Sequence, residues 1–293
     1  NAVNSVKDKS LLKEATIYVS LEPCSHFGKT PPCCDLIIAN EIPNVVVGTV
    51  DPFAKVAGNG IKKLVESGKN VTVGILEDEC NELNKRFFTF HQKQRPYIIL
   101  KWAETADGFI SPISKEEKSP VWITNPYSRQ LVHKWRTEEQ AILVGTNTVL
   151  DDNPKLDARD FSGNNPIRIV LDKSGKISEN YHVKNNSQKT IFITESENFI
   201  STENCIYENA IFDIHLISSI CDILYKNNIQ SVIIEGGSKT LQSFIDANLW
   251  DEARVFKGDT TFQNGILAPN ISGNPVAGFD IMNDELKIFK NYD

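Results

Sequence analysis

Asn44-Val45-Val46-Val47-Gly48-Thr49-Val50 is an apolar run rich in β-branched residues, and it reads as a buried strand. Thr16-Ile17-Tyr18-Val19-Ser20-Leu21 upstream and Asn70-Val71-Thr72-Val73-Gly74-Ile75 downstream read the same way. Between them lie helical patterns at 33–40 and 60–67, the latter with Ile61, Leu64 and Val65 on one face and Gly68 as a stop. Asp78–Phe90 reads as one further helix. Strands that alternate with helices predict an α/β fold with parallel strand pairs.

The polar stretch His91-Gln92-Lys93-Gln94-Arg95-Pro96 breaks this pattern and predicts a domain boundary, giving domains at 1–94 and 95–293. The second domain restarts with a strand at Tyr97–Trp102. Asn125-Pro126 then sets a helix cap with proline at the first helical position. Ala141–Gly145, Ile167–Asp172, Thr190–Thr194 and Ser231–Ile234 read as strands, Ala253–Gly258 and Leu286–Lys290 as late ones, and Ile217–Asn227 and Lys239–Asn248 as helices. Asp160–Asn165 and Lys173–Lys189 read as polar loops.

The chain has 293 residues, 40% apolar and 24% charged, which is an ordinary globular composition. Thirty-one Lys and Arg against 38 Asp and Glu leave a net charge of -7, without the basic footprint of a nucleic-acid-binding protein. No apolar run reaches the roughly 18 residues of a membrane span, and the first residues lack the apolar core of a secretory signal. Six scattered cysteines in such a chain predict a reducing, cytoplasmic setting. Met282 is the single methionine, so the chain carries no initiator and reads as processed or as a fragment.

Two regions carry candidate chemistry. In the first, Leu21-Glu22-Pro23-Cys24-Ser25-His26-Phe27-Gly28-Lys29-Thr30-Pro31-Pro32-Cys33-Cys34, a strand delivers Cys24 and a Pro-rich loop returns to Cys33 at a helix start. There the helix dipole favours a thiolate. Two thiolates are half of a tetrahedral zinc site; on spacing alone, two buried free cysteines beside a turn are favoured. Gly58 and Gly60 read either as part of a nucleotide loop or as a helix-start turn. In the second region, Val232–Ile234 runs into Glu235-Gly236-Gly237-Ser238-Lys239-Thr240, and Ala141–Val144 into Gly145-Thr146-Asn147-Thr148. Glycines before a helix let backbone N–H groups approach an anion, although each turn alone is more often an ordinary one.

The string Leu-Glu-Pro-Cys-Ser-His-x-Gly-Lys-Thr-Pro-Pro-Cys closely resembles the deaminase half of the bifunctional riboflavin-biosynthesis deaminase/reductase family. Leu100-Lys101-Trp102-Ala103, Asp107-Gly108, Trp122-Ile123-Thr124, Ala141–Asp152, Pro166–Asp172 and Glu235-Gly236-Gly237 resemble, in that order, its reductase half. The resemblance implies a cytidine-deaminase-like α/β/α domain followed by a dihydrofolate-reductase-like α/β domain. It implies zinc-dependent deamination of 2,5-diamino-6-(5-phosphoribosylamino)pyrimidin-4-one, then reduction of 5-amino-6-(5-phosphoribosylamino)uracil by NADPH. The partners implied are therefore phosphorylated pyrimidines, and a homo-oligomer is expected.

Residue by residue, the resemblance implies Cys24 and Cys33 as zinc ligands and His26, Lys29 and Asp51 as substrate contacts. The family's third zinc ligand and catalytic glutamate lie in a His-Ala-Glu motif for which no counterpart precedes Cys24. The start at Asn1-Ala2-Val3-Asn4 implies truncation just downstream of that motif. The alternative is a reductase whose first domain is a structural or interaction module. In the second domain, Arg136, Leu156, Arg159 and Glu235 are implied substrate contacts. Trp122, Thr148, Asp152, Gly237, Ser238, Lys239 and Thr240 are implied at the cofactor. Lys101, Glu235 and Asp152 are the candidate catalytic residues. Without the family, Arg136 and Arg159 read as surface arginines and Trp122 as a core residue. Phe53 and Pro120 depart from the family's usual Asn and Ser, and Ser119 is a candidate replacement for the latter.

Overall fold

The computed structural model describes residues 2–27, 31–52, 57–114 and 120–292. The chain divides into two compact units, Asn1–Gln94 and Arg95–Asp293. Lys29, Phe53 and Ser119 lie outside the described residues.

In the first unit the order is α1 (Ala2–Ser5), β1 (Thr16–Leu21), α2 (Cys33–Ala39), β2 (Asn44–Thr49), α3 (Asn59–Glu66), β3 (Asn70–Val73), α4 (Glu77–Leu83) and α5 (Lys85–Lys93). The three strands pair in parallel in the order β1-β2-β3. Val45 and Val47 of β2 pack with Ile37, Ile42 and Leu64, so β2 is buried as its unbroken apolar run predicts. The single helix expected over Asp78–Phe90 is two. Asn84 leaves helical geometry (φ −98°, ψ 10°), and its side-chain amide donates to the Cys80 carbonyl at 2.8 Å. An asparagine that bonds the preceding turn in this way competes with the helix ladder.

The second unit contains β4 (Tyr97–Glu104), β5 (Phe109–Ser111), α6 (Pro126–Glu138), β6 (Ala141–Gly145), α7 (Thr146–Asp152), β7 (Ile167–Leu171), β8 (Thr190–Thr194) and β9 (Cys205–Asn209). It continues with α8 (Leu216–Lys226), β10 (Ser231–Ile234), α9 (Ser238–Asp246), β11 (Glu252–Lys257), β12 (Ile266–Leu267), β13 (Ala277–Ile281) and β14 (Asp284–Lys290). Nine strands form one sheet in the order β13-β14-β11-β4-β10-β6-β7-β8-β9, parallel from β11 to β9 and antiparallel at β13 and β14.

Side chains alternate across this sheet. Ile98, Leu100 and Trp102 of β4 pack with Ile217, Ile220 and Leu224 of α8 and Leu241 and Phe244 of α9. Tyr97 and Ile99 pack on the opposite face with Val132 and Trp135 of α6. Lys101 belongs to the α6-side row, and there its Nζ lies 5.8 Å from the centroid of the Phe256 ring. Asn125 caps α6 as expected, its Oδ1 accepting from the N–H groups of Tyr127 and Ser128 at 2.9 and 3.1 Å. Asp284 of β14 accepts from the Asn125 N–H and the Ser128 hydroxyl, which fixes the start of α6 against the antiparallel edge. The strands β5, β9, β12 and β13 were not expected. They are short or lie at sheet edges, where a one-faced or exposed strand leaves little apolar pattern.

Arg95 is paired in its own unit. Its guanidinium binds both Asp251 carboxylate oxygens, at 2.6 and 2.8 Å, and Asp251 also accepts from the Ile98 N–H at 2.8 Å. Both side chains are at most 10% exposed. Removing one partner of such a pair strands the other charge, so Asp251→Ala is expected to cost roughly 3–5 kcal/mol of stability. Urea unfolding measures this, and a loss below ~1 kcal/mol contradicts it.

Candidate active site

Strand β10 lies between β4 and β6, and β6 and β10 end side by side at one edge of the sheet. Each strand turns through glycine into a helix, Gly145 into α7 and Gly236-Gly237 into α9. The junctions nearly touch. A Cβ on Gly145 would meet Thr240 Oγ1 at 2.9 Å, and one on Gly237 would lie 3.7 Å from Thr148 Oγ1. Helix α9 begins with no side-chain cap, so its first N–H groups are directed at whatever occupies this edge. A cleft of about 1070 Å³ opens there, outside the carboxyl ends of the parallel strands, where ligands of open α/β sheets bind.

The structure brings the expected residues of the second unit to this cleft. Lys101, Trp122, Arg136, Thr148, Asp152, Leu156, Arg159, Glu235, Gly237, Ser238, Lys239 and Thr240 all line it, as does Pro120. Arg136 does more than the sequence indicated. Its Nε and Nη2 donate to the two Glu235 carboxylate oxygens at 3.1 and 2.7 Å, and its Nη1 donates to the Asp157 carbonyl at 2.9 Å. The guanidinium fork expected to face a phosphate is therefore engaged by a carboxylate, because α6 delivers Arg136 directly opposite the end of β10. Arg159 is half-exposed, and its Nη1 donates to Asp157 at 2.6 Å. Trp122, read from sequence alone as a core residue, is 54% exposed and stacks on Arg129, whose guanidinium carbon is 4.5 Å from the ring centroid.

Burial pushes the Glu235 carboxyl up, but the positive charges of Arg136 and Lys101 outweigh it and hold its pKa at about 2. Glu235 is therefore ionised at neutral pH. Burial lowers the Lys101 pKa, with Glu235 opposing and Arg136 reinforcing. A lysine whose ammonium is destabilised while a carboxylate holds it nearby is suited to giving up a proton.

Sequence reasoning passed over two further side chains. His133, one helical turn before Arg136, also lines the cleft, and its isolated position in the chain gave no signal. Glu22 was visible in Glu22-Pro23-Cys24 but carried no assigned role. It is 4% exposed, and it accepts from the N–H groups of Asp51, Gly58, Gly60 and Ile61 at 2.7–3.2 Å. Its carboxylate fills the start of α3, which decides between the two readings of Gly58 and Gly60. They form a helix-start turn, with Gly58 at φ 76° and Gly60 packed so closely that a Cβ would meet the Pro23 carbonyl at 2.0 Å.

In the first unit Cys24, His26, Cys33, Asp51 and His91 line a separate cavity of about 610 Å³ with mainly apolar walls. The Cys33 N–H donates to Cys24 Sγ at 3.3 Å. The expected thiolate at Cys33 is not favoured. Burial, then the neighbouring Cys24, raises the Cys33 pKa. Among the described residues, no group of three or more His, Cys, Asp or Glu side chains is placed to hold a metal. Two thiols fall short of the three protein ligands of a catalytic zinc, so the described residues do not fit that metal.

Residues 96–260 match the model of the RibD C-terminal domain. The riboflavin biosynthesis protein RibD of Aquifex aeolicus is 38% identical over 288 residues, covering 95% of this chain and 77% of that protein. The chain belongs to the RibD family. RibD of Bacillus amyloliquefaciens is 35% identical over 94% of the chain and 75% of its own length. A solved Thermotoga maritima structure, described as a diaminohydroxyphosphoribosylaminopyrimidine deaminase/5-amino-6-(5-phosphoribosylamino)uracil reductase, is 36% identical. It matches with a TM-score of 0.83 over 94% of this chain and 79% of that one. The Saccharomyces cerevisiae riboflavin biosynthesis reductase Rib7, 20% identical, shares the fold with a TM-score of 0.55 over 71% of this chain and 99% of that one. Among the described residues of this RibD-family chain, no helix is long and apolar enough to cross a membrane.

The depressed Glu235 pKa has a consequence for stability. The group titrates at about 2 in the folded protein against an ordinary value of 4.5. Its contribution is complete above pH 4.5 and drains away as pH falls toward 2. Urea unfolding of wild type and Glu235→Gln at about pH 3 to 7 is expected to show a stability gap that is widest above about pH 5 and narrows below. A gap independent of pH contradicts the assignment.

Proposed function

We propose that the second unit is an NADPH-dependent reductase of riboflavin biosynthesis that converts 5-amino-6-(5-phosphoribosylamino)uracil to its ribitylamino product. The observation that carries this is the juxtaposition of two glycine strand–helix junctions with the Lys101–Glu235–Arg136 cluster in one cleft. It is supported by membership of the RibD family and by the reductase named in the Thermotoga maritima relative.

The cofactor fits the chain's own residues. The uncapped start of α9 at Ser238, Lys239 and Thr240 suits a diphosphate, with Thr148 and Asp152 on the neighbouring junction and Trp122 at the rim. When bound, NADPH supplies hydride to C1 of the sugar. As C1 accepts hydride its bond to the ring oxygen is lost, and that oxygen must gain a proton. We assign that donation to Lys101, whose ammonium is destabilised by burial. Glu235 stays ionised and holds Lys101 by charge; Arg136 holds Glu235. With Arg136 engaged in this way, Arg159 is the arginine assigned to the substrate phosphate, and Leu156 borders it in the same turn.

For the first unit we favour a cytidine-deaminase-like origin, with Cys24 and Asp51 just beyond the ends of the parallel strands β1 and β2. The Thermotoga maritima relative is described as a diaminohydroxyphosphoribosylaminopyrimidine deaminase as well as a reductase; for this unit the family resemblance implies zinc-dependent deamination of 2,5-diamino-6-(5-phosphoribosylamino)pyrimidin-4-one. Of the implied zinc ligands, the described residues provide Cys24 and Cys33, with His26 and Asp51 lining the same cavity.

The experiment is NADPH oxidation followed by absorbance with 5-amino-6-(5-phosphoribosylamino)uracil. Substrate-dependent oxidation is expected, and its absence in folded protein that binds NADPH overturns the substrate assignment. In the same assay Arg159→Ala is expected to raise the substrate KM by about 10- to 100-fold while the NADPH KM changes far less. Equal losses in both would refute the phosphate assignment.

A further inference from the structure

The turn that presents Arg159 is held from inside the protein by one face of α6. Arg136 and His133 lie three residues apart, so they project from the same side of the helix. Arg136 Nη1 donates to the Asp157 carbonyl at 2.9 Å, and His133 Nε2 lies 3.2 Å from Asp160 Oδ2. Arg159 sits between these two anchors, with its own Nη1 on the Asp157 carboxylate. The turn enters through Leu156 at φ 55°, and the Ala158 N–H donates to Asn165 at 2.9 Å.

His133 is 4% exposed, and its Nδ1 is buried with no hydrogen-bond partner among the described residues. The carboxylate at Asp160 can only accept, so Nε2 carries the proton and Nδ1 a bare lone pair. Burial, then the nearby charges of Arg136 and Arg159, keeps the imidazole pKa below its ordinary value, with Asp160 and Glu235 opposing. A buried imidazole with an unmet acceptor carries a desolvation cost. Its polar contact among the described residues runs to the half-exposed carboxylate of Asp160, next to Arg159. That arrangement makes little sense as core packing, where an apolar side chain would cost less.

We infer that His133 is a positioning residue: through Asp160 it fixes the Leu156–Asp160 turn so that the Arg159 guanidinium stands ready for the anionic end of the substrate. This rests on the assignment of Arg159 to the substrate phosphate, and it goes beyond that assignment in naming what holds the arginine. His133 does not contact the reacting atoms in this account, so its loss falls on substrate capture and not on the chemical step.

The test is steady-state NADPH oxidation by the full chain, varying 5-amino-6-(5-phosphoribosylamino)uracil, with substrate affinity also measured calorimetrically without NADPH. His133→Ala is expected to raise the substrate KM and Kd by about tenfold. The fall in kcat is expected to be less than about threefold. His133→Gln, whose amide N–H can replace Nε2–H, is expected to recover most of the loss. Because both changes act through Arg159, His133→Ala combined with Arg159→Ala is expected to be no weaker than Arg159→Ala alone. Should His133→Ala fail to fold, Asp160→Ala breaks the same link from its half-exposed side and must give the same KM effect.

A loss in kcat with KM unchanged overturns the inference, as does full additivity with Arg159→Ala, or failure of glutamine to restore binding. If Arg159→Ala weakens substrate while neither His133→Ala nor Asp160→Ala does, this inference alone fails. If Arg159→Ala leaves substrate KM and Kd unchanged, the phosphate assignment fails first and the inference falls with it.

Discussion

The ion pair between Arg136 and Glu235 joins α6, on one face of the nine-stranded sheet, to the end of β10 inside it. Buried pairs of this kind give little net stability against an apolar substitute, because both charges are desolvated. Their effect is on position: once one charge is buried, the other must be brought to it in fixed geometry. Lys101 joins the pair from β4, so the polar floor of the cleft holds two cations and one anion. A floor with one excess positive charge favours an anionic ligand before any specific contact is counted.

The position of the cleft follows from strand order. Strand β10 is late in the chain but inserts between β4 and β6, so the crossovers on its two sides lead to helices on opposite faces. The strand ends are left uncovered between them. Glycines at 145, 236 and 237 then let the two junctions approach within van der Waals distance, which a side chain at Gly145 would prevent. Backbone N–H groups are thereby exposed where the sheet leaves a gap, and topology and local sequence select the same spot.

The strands of the parallel core were legible in the sequence because burial on both faces leaves unbroken apolar runs, as in Val45–Val47 and Val232–Ile234. The cap at Asn125-Pro126 was legible because it is local chemistry. The break at Asn84 was not, since the apolar spacing runs through it. The cleft residues were legible mainly through the family's motifs. The partners of those residues were hidden because they are distant in sequence: 99 residues separate Arg136 from Glu235. His133 carried no signal, since a single histidine in an amphipathic helix looks the same whether it fills the core or holds a turn.

Glu22 and Glu235 show two solutions to one problem, a carboxylate taken out of water just beyond the end of a parallel strand. Glu22 is surrounded by four backbone N–H donors and so organises the chain around itself, tying the residues after β2 to the start of α3. Every one of those donors belongs to the backbone. Glu235 is instead met by side chains, a guanidinium on one helix and an ammonium on a neighbouring strand. One of these, Lys101, can lose its proton; Arg136 then still compensates the carboxylate. A buried anion with two cationic partners, only one of which can titrate, allows a proton to leave the site without stranding a charge. Among the described residues, the hydrogen bonds to Glu22 come from backbone N–H groups, although both glutamates directly follow a parallel strand.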